Sequence, residues 1–349
     1  MQKTPDKILI IRNDKIGDFC LSLPSFALLK QCLPATKLHA LVPAYTRPIA
    51  EACPFIDEIL IDPGKEANKT EQLKLRNSIR IQNYPVSLAL YSTTRIGWLL
   101  SRIRIPVRLA PATKLAQFLH THRITQRRSQ SRKPEFEYNI DLARALLTLT
   151  HTDCDIIPTP PYLKIDQSEI SRLRQKFITK HQIDRKYLIF IHPGSGGSAN
   201  NLSIEQFSSL AKKLSSQHHY YIVISAGPGE TDIAQQCSSI LTGSGFQDSH
   251  CVYESTAGLT NFVKHIAFSD LFISGSTGPL HIAGALNRPT AGFYPNRQSA
   301  TSLRWQTLSS DDRRLAFSPP VGPDKDDMSK LDVQQAASDI QRMLKQLYN

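Results

Sequence analysis

Two aspartates four residues apart lie between two apolar runs: "ILII" at 8–11 leads into "RNDKIGDF" at 12–19, and then into "CLSLPSFALL". A carboxylate placed just beyond a buried strand can accept a proton from a substrate hydroxyl. At the start of a helix it is also biased toward its ionised form. Asp18 is the candidate general base, with Gly17 supplying backbone freedom to aim it, and Asp14 is the rival, assigned a loop or supporting role. On local pattern alone, Asp18 reads equally as an ordinary helix-start residue.

Three loops in the second half are unusual, and two of them are of a kind that binds anions. In "HPGSGGSAN", Gly194, Gly196 and Gly197 permit close backbone approach, and Ser195 and Ser198 add hydroxyls before a helix. That composition suits a phosphate cradle or a plain turn, and it matches neither the P-loop nor the dinucleotide fingerprint. In "GSTGPLHIAGAL", Ser276, Thr277 and Gly278 precede a helix whose free N–H groups can hold an anion, unless they form an ordinary N-cap. In "AGPGE", the carboxylate of Glu230 either starts a helix or holds ribose hydroxyls. No metal-ligand spacing occurs: "DKDD" at 324–327 reads as a solvated loop, and His120, His122, His218 and His219 read as surface residues.

The elements that must position these loops follow from periodicity. Strands are expected at 7–11, 37–42, 58–61, 86–91 and 107–110, with helices near 19–31, 66–80, 95–103 and 137–150. After the Pro-rich "IIPTPPYL" at 156–163, strands are expected at 187–191, 220–225, 271–274 and 290–294. Helices are expected at 204–215, near 230–241, at 258–268 and at 279–286. Alternating strands and helices imply parallel sheets covered on both faces, hence two doubly wound α/β domains, 1–160 and 161–349, with a last helix that can pack back on the first. In such folds ligands bind beyond the carboxyl ends of the strands, where all of these loops lie.

Composition narrows the class. The 349 residues hold no run near the roughly 18–20 apolar residues that span a bilayer, and the apolar stretch at the N-terminus is too short for a signal peptide. A cytoplasmic protein is expected, and six scattered cysteines without CxxC spacing suit reduced thiols. The net charge of +12 is concentrated: residues 72–134 hold thirteen Lys and Arg and no Asp or Glu, leaving 29 basic against 30 acidic residues elsewhere. Such a stretch attracts phosphates of a lipid surface, a glycan or a nucleic acid, or simply solubilises the chain. Its interior, "RIGWLLSRIRIPVRLAPATKLAQFLH", mixes apolar and basic residues in a way that suits a membrane face.

In order and spacing, "ILIIRNDKIGDFCLSLP", "IHPGSGGSANNLSIEQF" and "LFISGSTGPLHIAGALNRPTAGFYP" resemble the heptosyltransferase family of bacterial lipopolysaccharide assembly, glycosyltransferase family 9. The resemblance implies a GT-B architecture, two Rossmann-like domains facing across a cleft, and an inverting, metal-independent transfer without a cofactor. The co-substrate it implies is a nucleotide-sugar, ADP-linked, and the sugar is heptose. The acceptor it implies is a phosphorylated, lipid-linked glycan at the cytoplasmic face of the inner membrane, with no nucleic acid involved. Asp18 then corresponds to the family base. Ser195, Gly196, Gly197, Asn200, Glu230, Ser276, Thr277, Gly278 and His281 correspond to the donor site, and Arg127, Arg128, Arg132 and Lys133 become the candidates for acceptor and membrane contact. Two positions depart from the family: Asn200 stands where many members have Lys, and Ser276 where many have Asp. The alternatives are a different nucleotide-sugar donor, a glycan-binding protein without turnover, and a basic nucleic-acid-binding protein.

Overall fold

The computed structural model describes residues 4–196 and 200–348. The chain forms two compact units, one of residues up to 128 together with 133–163, the other of 129–132 together with 164 onward. The first contains β1 (Lys7–Ile11), α1 (Ile16–Cys20), α2 (Leu23–Cys32), β2 (Lys37–Pro43), α3 (Arg47–Glu51), β3 (Glu58–Asp62), α4 (Lys69–Gln82), β4 (Val86–Ala89), α5 (Thr94–Ile103), β5 (Val107–Pro111), β6 (His122–Ile124) and α6 (Glu135–Leu149). The second contains α7 (Gln167–Lys180), β7 (Tyr187–His192), α8 (Ile204–Ser215), β8 (Tyr220–Ala226), α9 (Thr231–Thr242), β9 (His250–Glu254), α10 (Gly258–Ala267), β10 (Leu271–Gly275), α11 (Gly278–Ala285), β11 (Thr290–Phe293), β12 (Arg314–Phe317) and α12 (Val333–Tyr348).

Each unit is built on one six-stranded sheet, with orders β3-β2-β1-β4-β5-β6 and β12-β11-β10-β7-β8-β9, and every pairing is parallel. Numbered within its own unit, each sheet has the order 3-2-1-4-5-6 of a dinucleotide-binding fold. The strand order therefore reverses between β1 and β4, and again between β7 and β10. Ile8–Ile11 and Leu188–Ile191 are fully buried, as strands covered on both faces must be. Helices begin where side chains close their free N–H groups: capping boxes at Asn68/Glu71 and Ser203/Gln206 start α4 and α8, and Asp166 caps α7.

Several expectations need correction. The single helix expected over 19–31 is two, α1 and α2, and Gly17 lies inside α1 rather than in a turn. The last helix buries Val333, Ala336, Ala337, Ile340, Met343 and Leu344 in the core of the second unit. Cys32 and Cys154 are joined by a disulfide, which the reduced-thiol reading did not foresee. They are 122 residues apart in sequence, yet α2 and α6 pack together and bring their Cα atoms within 5.9 Å. Cys20, Cys53 and Cys237 are free and buried, and Cys251 is free and half-buried. Among the described residues no helix is long and apolar enough to cross a membrane.

Candidate active site

At the switch point of the first sheet, β1 is followed directly by Arg12, whose side chain is only 2 % exposed. Its guanidinium gathers what surrounds it: Nη2 donates to Asp18 Oδ1 at 2.7 Å, Nε to Asp14 Oδ1 at 2.8 Å, and Nη1 to Asn139 Oδ1 at 3.1 Å, with Glu135 Oε1 at 3.7 Å. Burial works against a charge here, but Asp14, Asp18 and Glu135 together hold the Arg12 pKa above its ordinary value. Glu135 and Asn139 both come from α6, and Asn139 Nδ2 also donates to the Leu21 carbonyl at 3.0 Å, locking α6 onto the chain just past α1. Burial, reinforced by the nearby Asp18 charge, lifts the Asp14 carboxyl to about 6 against the pull of Arg12. Tyr45 closes one side by donating its hydroxyl to the Asp14 carbonyl at 2.6 Å, and Arg12 lies 5.9 Å from the Tyr91 ring centroid.

In the second unit the loops after β7 and β8 are tied by one carboxylate. Glu230 Oε1 accepts from the Gly196 N–H and Oε2 from the Gly227 N–H, both at 2.9 Å, and His192 Nε2 lies 3.3 Å from Oε2. His192 Nδ1 is 3.1 Å from both the carbonyl and the hydroxyl oxygen of Ser225. A neutral ring satisfies both sides when the Ser225 hydroxyl donates to Nδ1 and Nε2–H donates to Glu230. Burial lowers the His192 pKa, although Glu230 and the Ser225 carbonyl favour its protonated form. Glu230 thus carries a structural load in addition to its expected role toward ribose, and its side chain does not cap α9.

The third loop runs from β10 into α11, with Thr277 at the N-cap position and Pro279 in the first turn. Thr277 and Ser274 hydroxyls lie 3.0 Å apart, and Ser276 Oγ is 3.5 Å from His281 Nε2. His281 is buried, which lowers its pKa to about 4, and its Nδ1 has no partner among the described residues. In the absence of a bound anion its ring is therefore a neutral donor or acceptor. Asn200 Nδ2 donates to the Asp326 carbonyl at 2.8 Å, and the "DKDD" segment is solvent-exposed, as expected. Ser195 is half-buried, and Gly197 lies outside the described residues. Asn201 also ties this loop down: its Nδ2 donates to the Pro193 carbonyl at 3.0 Å, and its side chain fills the space where a Cβ on Gly275 would sit.

The model of the family described as glycosyltransferase family 9 (heptosyltransferase) matches residues 72–316. A Haemophilus influenzae protein provisionally named a glycosyltransferase is 40% identical over 347 residues, 98% of each chain. The chain belongs to glycosyltransferase family 9. Escherichia coli ADP-heptose lps heptosyltransferase II superposes with a TM-score of 0.80 at 19% identity, over 98% of this chain and 100% of that one. E. coli heptosyltransferase WaaC with ADP gives 0.73 at 16%, over 97% and 99%. At such identities the likeness establishes the fold, and the two parallel α/β sheets are those of GT-B heptosyltransferase structures.

For this family-9 chain, the basic cluster is less available than its sequence implies. Arg128 pairs with Glu135 and lies 5.7 Å from the Tyr138 ring centroid. Lys133 pairs with Asp141 and lies 5.0 Å from the same ring. Arg127 and Arg132 are exposed. Both neutralising acids lie just beyond the acid-free stretch, where a count confined to residues 72–134 does not see them. His120, expected at the surface, is buried, which lowers its pKa to about 4, and its Nε2 is 2.7 Å from Ser92 Oγ. Sequence reasoning passed over Arg12, Glu135, Asn139, His192 and Asn201. For Arg12 and His192 a signal existed, since each is a polar residue directly after an apolar run, at the end where the fold binds ligands.

Proposed function

We infer that this glycosyltransferase moves heptose from ADP-heptose, with inversion and without a metal, onto a phosphorylated, lipid-linked glycan at the cytoplasmic face of the inner membrane. The observation that carries this reading is the placement of Asp18 at the first switch point, anchored by a buried guanidinium and partly open to solvent. The donor in this reading follows two E. coli enzymes of the same fold, one named for ADP-heptose and the other solved with ADP.

In the reaction, Asp18 accepts the proton of the acceptor hydroxyl as its oxygen attacks the anomeric carbon. The bond from that carbon to the diphosphate oxygen breaks on the opposite face, which inverts the configuration. The departing nucleoside diphosphate carries the electron pair, and N–H groups at the start of α11 are suited to its charge. Asn200 and Ser276 favour a second reading in which the donor is another nucleotide-sugar, because neither supplies the charged hydrogen bond of Lys or Asp.

The test has two parts. A thermal-shift screen against nucleotide-sugars and their nucleoside diphosphates identifies the donor, since a ligand that binds only the folded state raises its melting temperature. With that donor, Asp18→Asn retains the shift and loses about 10²–10⁴-fold in turnover. Turnover near that of the parent moves the base to Asp14. Turnover that disappears in EDTA and returns with a divalent cation removes the metal-independent step.

A further inference from the structure

The acid-free stretch folds into a surface that its charge count does not describe. Among the large apolar side chains of this stretch that stand open to solvent are Trp98 at 49 %, Leu115 at 76 % and Phe118 at 70 %. Trp98 is on α5, and the other two are on a 3-10 segment, Leu115–Leu119. These elements abut so closely that a Cβ on Gly97 would come within 2.9 Å of Leu119 Cβ, so the elements that carry the three side chains are packed neighbours. Cations frame them. The Arg102 guanidinium lies 4.8 Å from the Trp98 ring centroid, Arg123 lies 5.9 Å from that of Phe118, and Lys114 is exposed beside Leu115. None of these three cations has an ion-pair partner among the described residues; within 72–134 the pairs are made by Arg95, Arg128 and Lys133.

We propose that the Trp98–Leu115–Phe118 surface, framed by Arg102, Lys114 and Arg123, docks this enzyme on the anionic headgroup layer of a lipid bilayer. Exposed aromatic rings with guanidinium groups beside them match the interface, where the ring enters the acyl boundary and the cation remains with the phosphates. A stretch without acids limits repulsion from anionic lipid, and each cation near the headgroups adds to the attraction. The position suits an enzyme whose acceptor is anchored in that layer. His120, at the end of the 3-10 segment, meets Ser92 just past β4, and the Leu90 carbonyl beside it accepts from Arg12 at 3.4 Å. The docking surface therefore borders the end of the first sheet that holds Asp18. This deepens the reading of a lipid-linked acceptor and rests on it, but docking itself needs no substrate.

The full-length protein is sedimented with vesicles of phosphatidylcholine alone and of equal parts phosphatidylcholine and phosphatidylglycerol, at low and high salt, without donor or acceptor. Binding only to the anionic vesicles, weakened by salt, is expected, with Trp98 emission moving to shorter wavelength and no such movement in Trp98→Phe. The double variant Leu115→Ser/Phe118→Ser removes exposed side chains and keeps the fold. Its partitioning falls by about tenfold or more, while the thermal shift with ADP is that of the parent. A parent that ignores anionic vesicles overturns the proposal, as does a double variant that binds them equally well. A double variant that changes only from dimer to monomer reassigns the surface to self-association, and one that loses only co-purifying RNA reassigns it to nucleic acid. The ADP shift reports on the donor reading independently, so the two can fail separately.

Discussion

The guanidinium of Arg12 reaches Asp18 at 2.7 Å through one nitrogen and Asp14 at 2.8 Å through another, so one buried cation sets the spacing of both candidate carboxylates. Lysine carries the same charge on one nitrogen and cannot hold two carboxylates in a fixed fork. Arg12→Lys should therefore lower kcat by about 10–100-fold, the cost of a misplaced catalytic group, while leaving ADP affinity unchanged. Steady-state kinetics with a parallel ADP titration checks this. A rise in KM for the donor at constant kcat would show that Arg12 serves another step.

The raised pKa of Asp14 has a consequence for stability. Its carboxyl titrates near 6 in the folded chain against 3.8 for the ordinary group, so between those values the folded state holds a proton that the unfolded state has released. Stability then declines as pH rises through this window, at up to about 1.4 kcal/mol per pH unit. Asp14→Asn has no proton to lose. The stability of this variant relative to the parent should rise from about pH 4 to about pH 6 and level off above, measured by urea unfolding at fixed pH values. A flat difference would refute the assignment.

Glu230 holds the loops after β7 and β8 through two backbone N–H groups. In Glu230→Gln one oxygen becomes an amide nitrogen facing a donor. The variant should lose about 1–3 kcal/mol, the cost of a buried group left without its partner, and its donor KM should rise with little change in kcat. Calorimetry and kinetics test the two halves separately. An unaltered melting temperature would mean that the loops do not depend on this carboxylate.

Asn200 offers the reverse experiment. Asn200→Lys gives up one hydrogen bond to the Asp326 carbonyl and returns the cation common in the family. ADP should bind about tenfold tighter, by about 1.4 kcal/mol, and the gain should shrink with salt. No gain at low salt would mean that this loop is shaped for a different ligand.

Most of the scaffold was legible because buried parallel strands are written as short apolar runs, and β1, β7 and β8 lie within a residue of where those runs end. The strands β6, β9 and β12 escaped, being short or only partly apolar sheet members whose half-buried side chains give no such run. Asp18 and the glycine loops were visible as unusual residues after strands. Their supports were not, since Asn139 reaches Arg12 across 127 residues and Glu230 reaches Gly196 across 34. The same limit hid the bond between Cys32 and Cys154, which depends on α2 lying against α6. A list of spacings records neighbours along the chain, whereas these contacts are made by packing.

The carboxylate of Glu230 occupies the place a side chain at position 194 would need: a Cβ there would fall 2.2 Å from its carboxyl carbon. The two positions are therefore not free to vary alone. Alanine at 194 would push the Glu230 carboxylate off its two N–H partners, a cost that disappears once residue 230 is shortened, so the double variant Gly194→Ala/Glu230→Ala should be more stable than the sum of its single changes implies. Selection on descendants of this chain should couple the two positions, so that a glycine and a glutamate 36 residues apart tend to be inherited together.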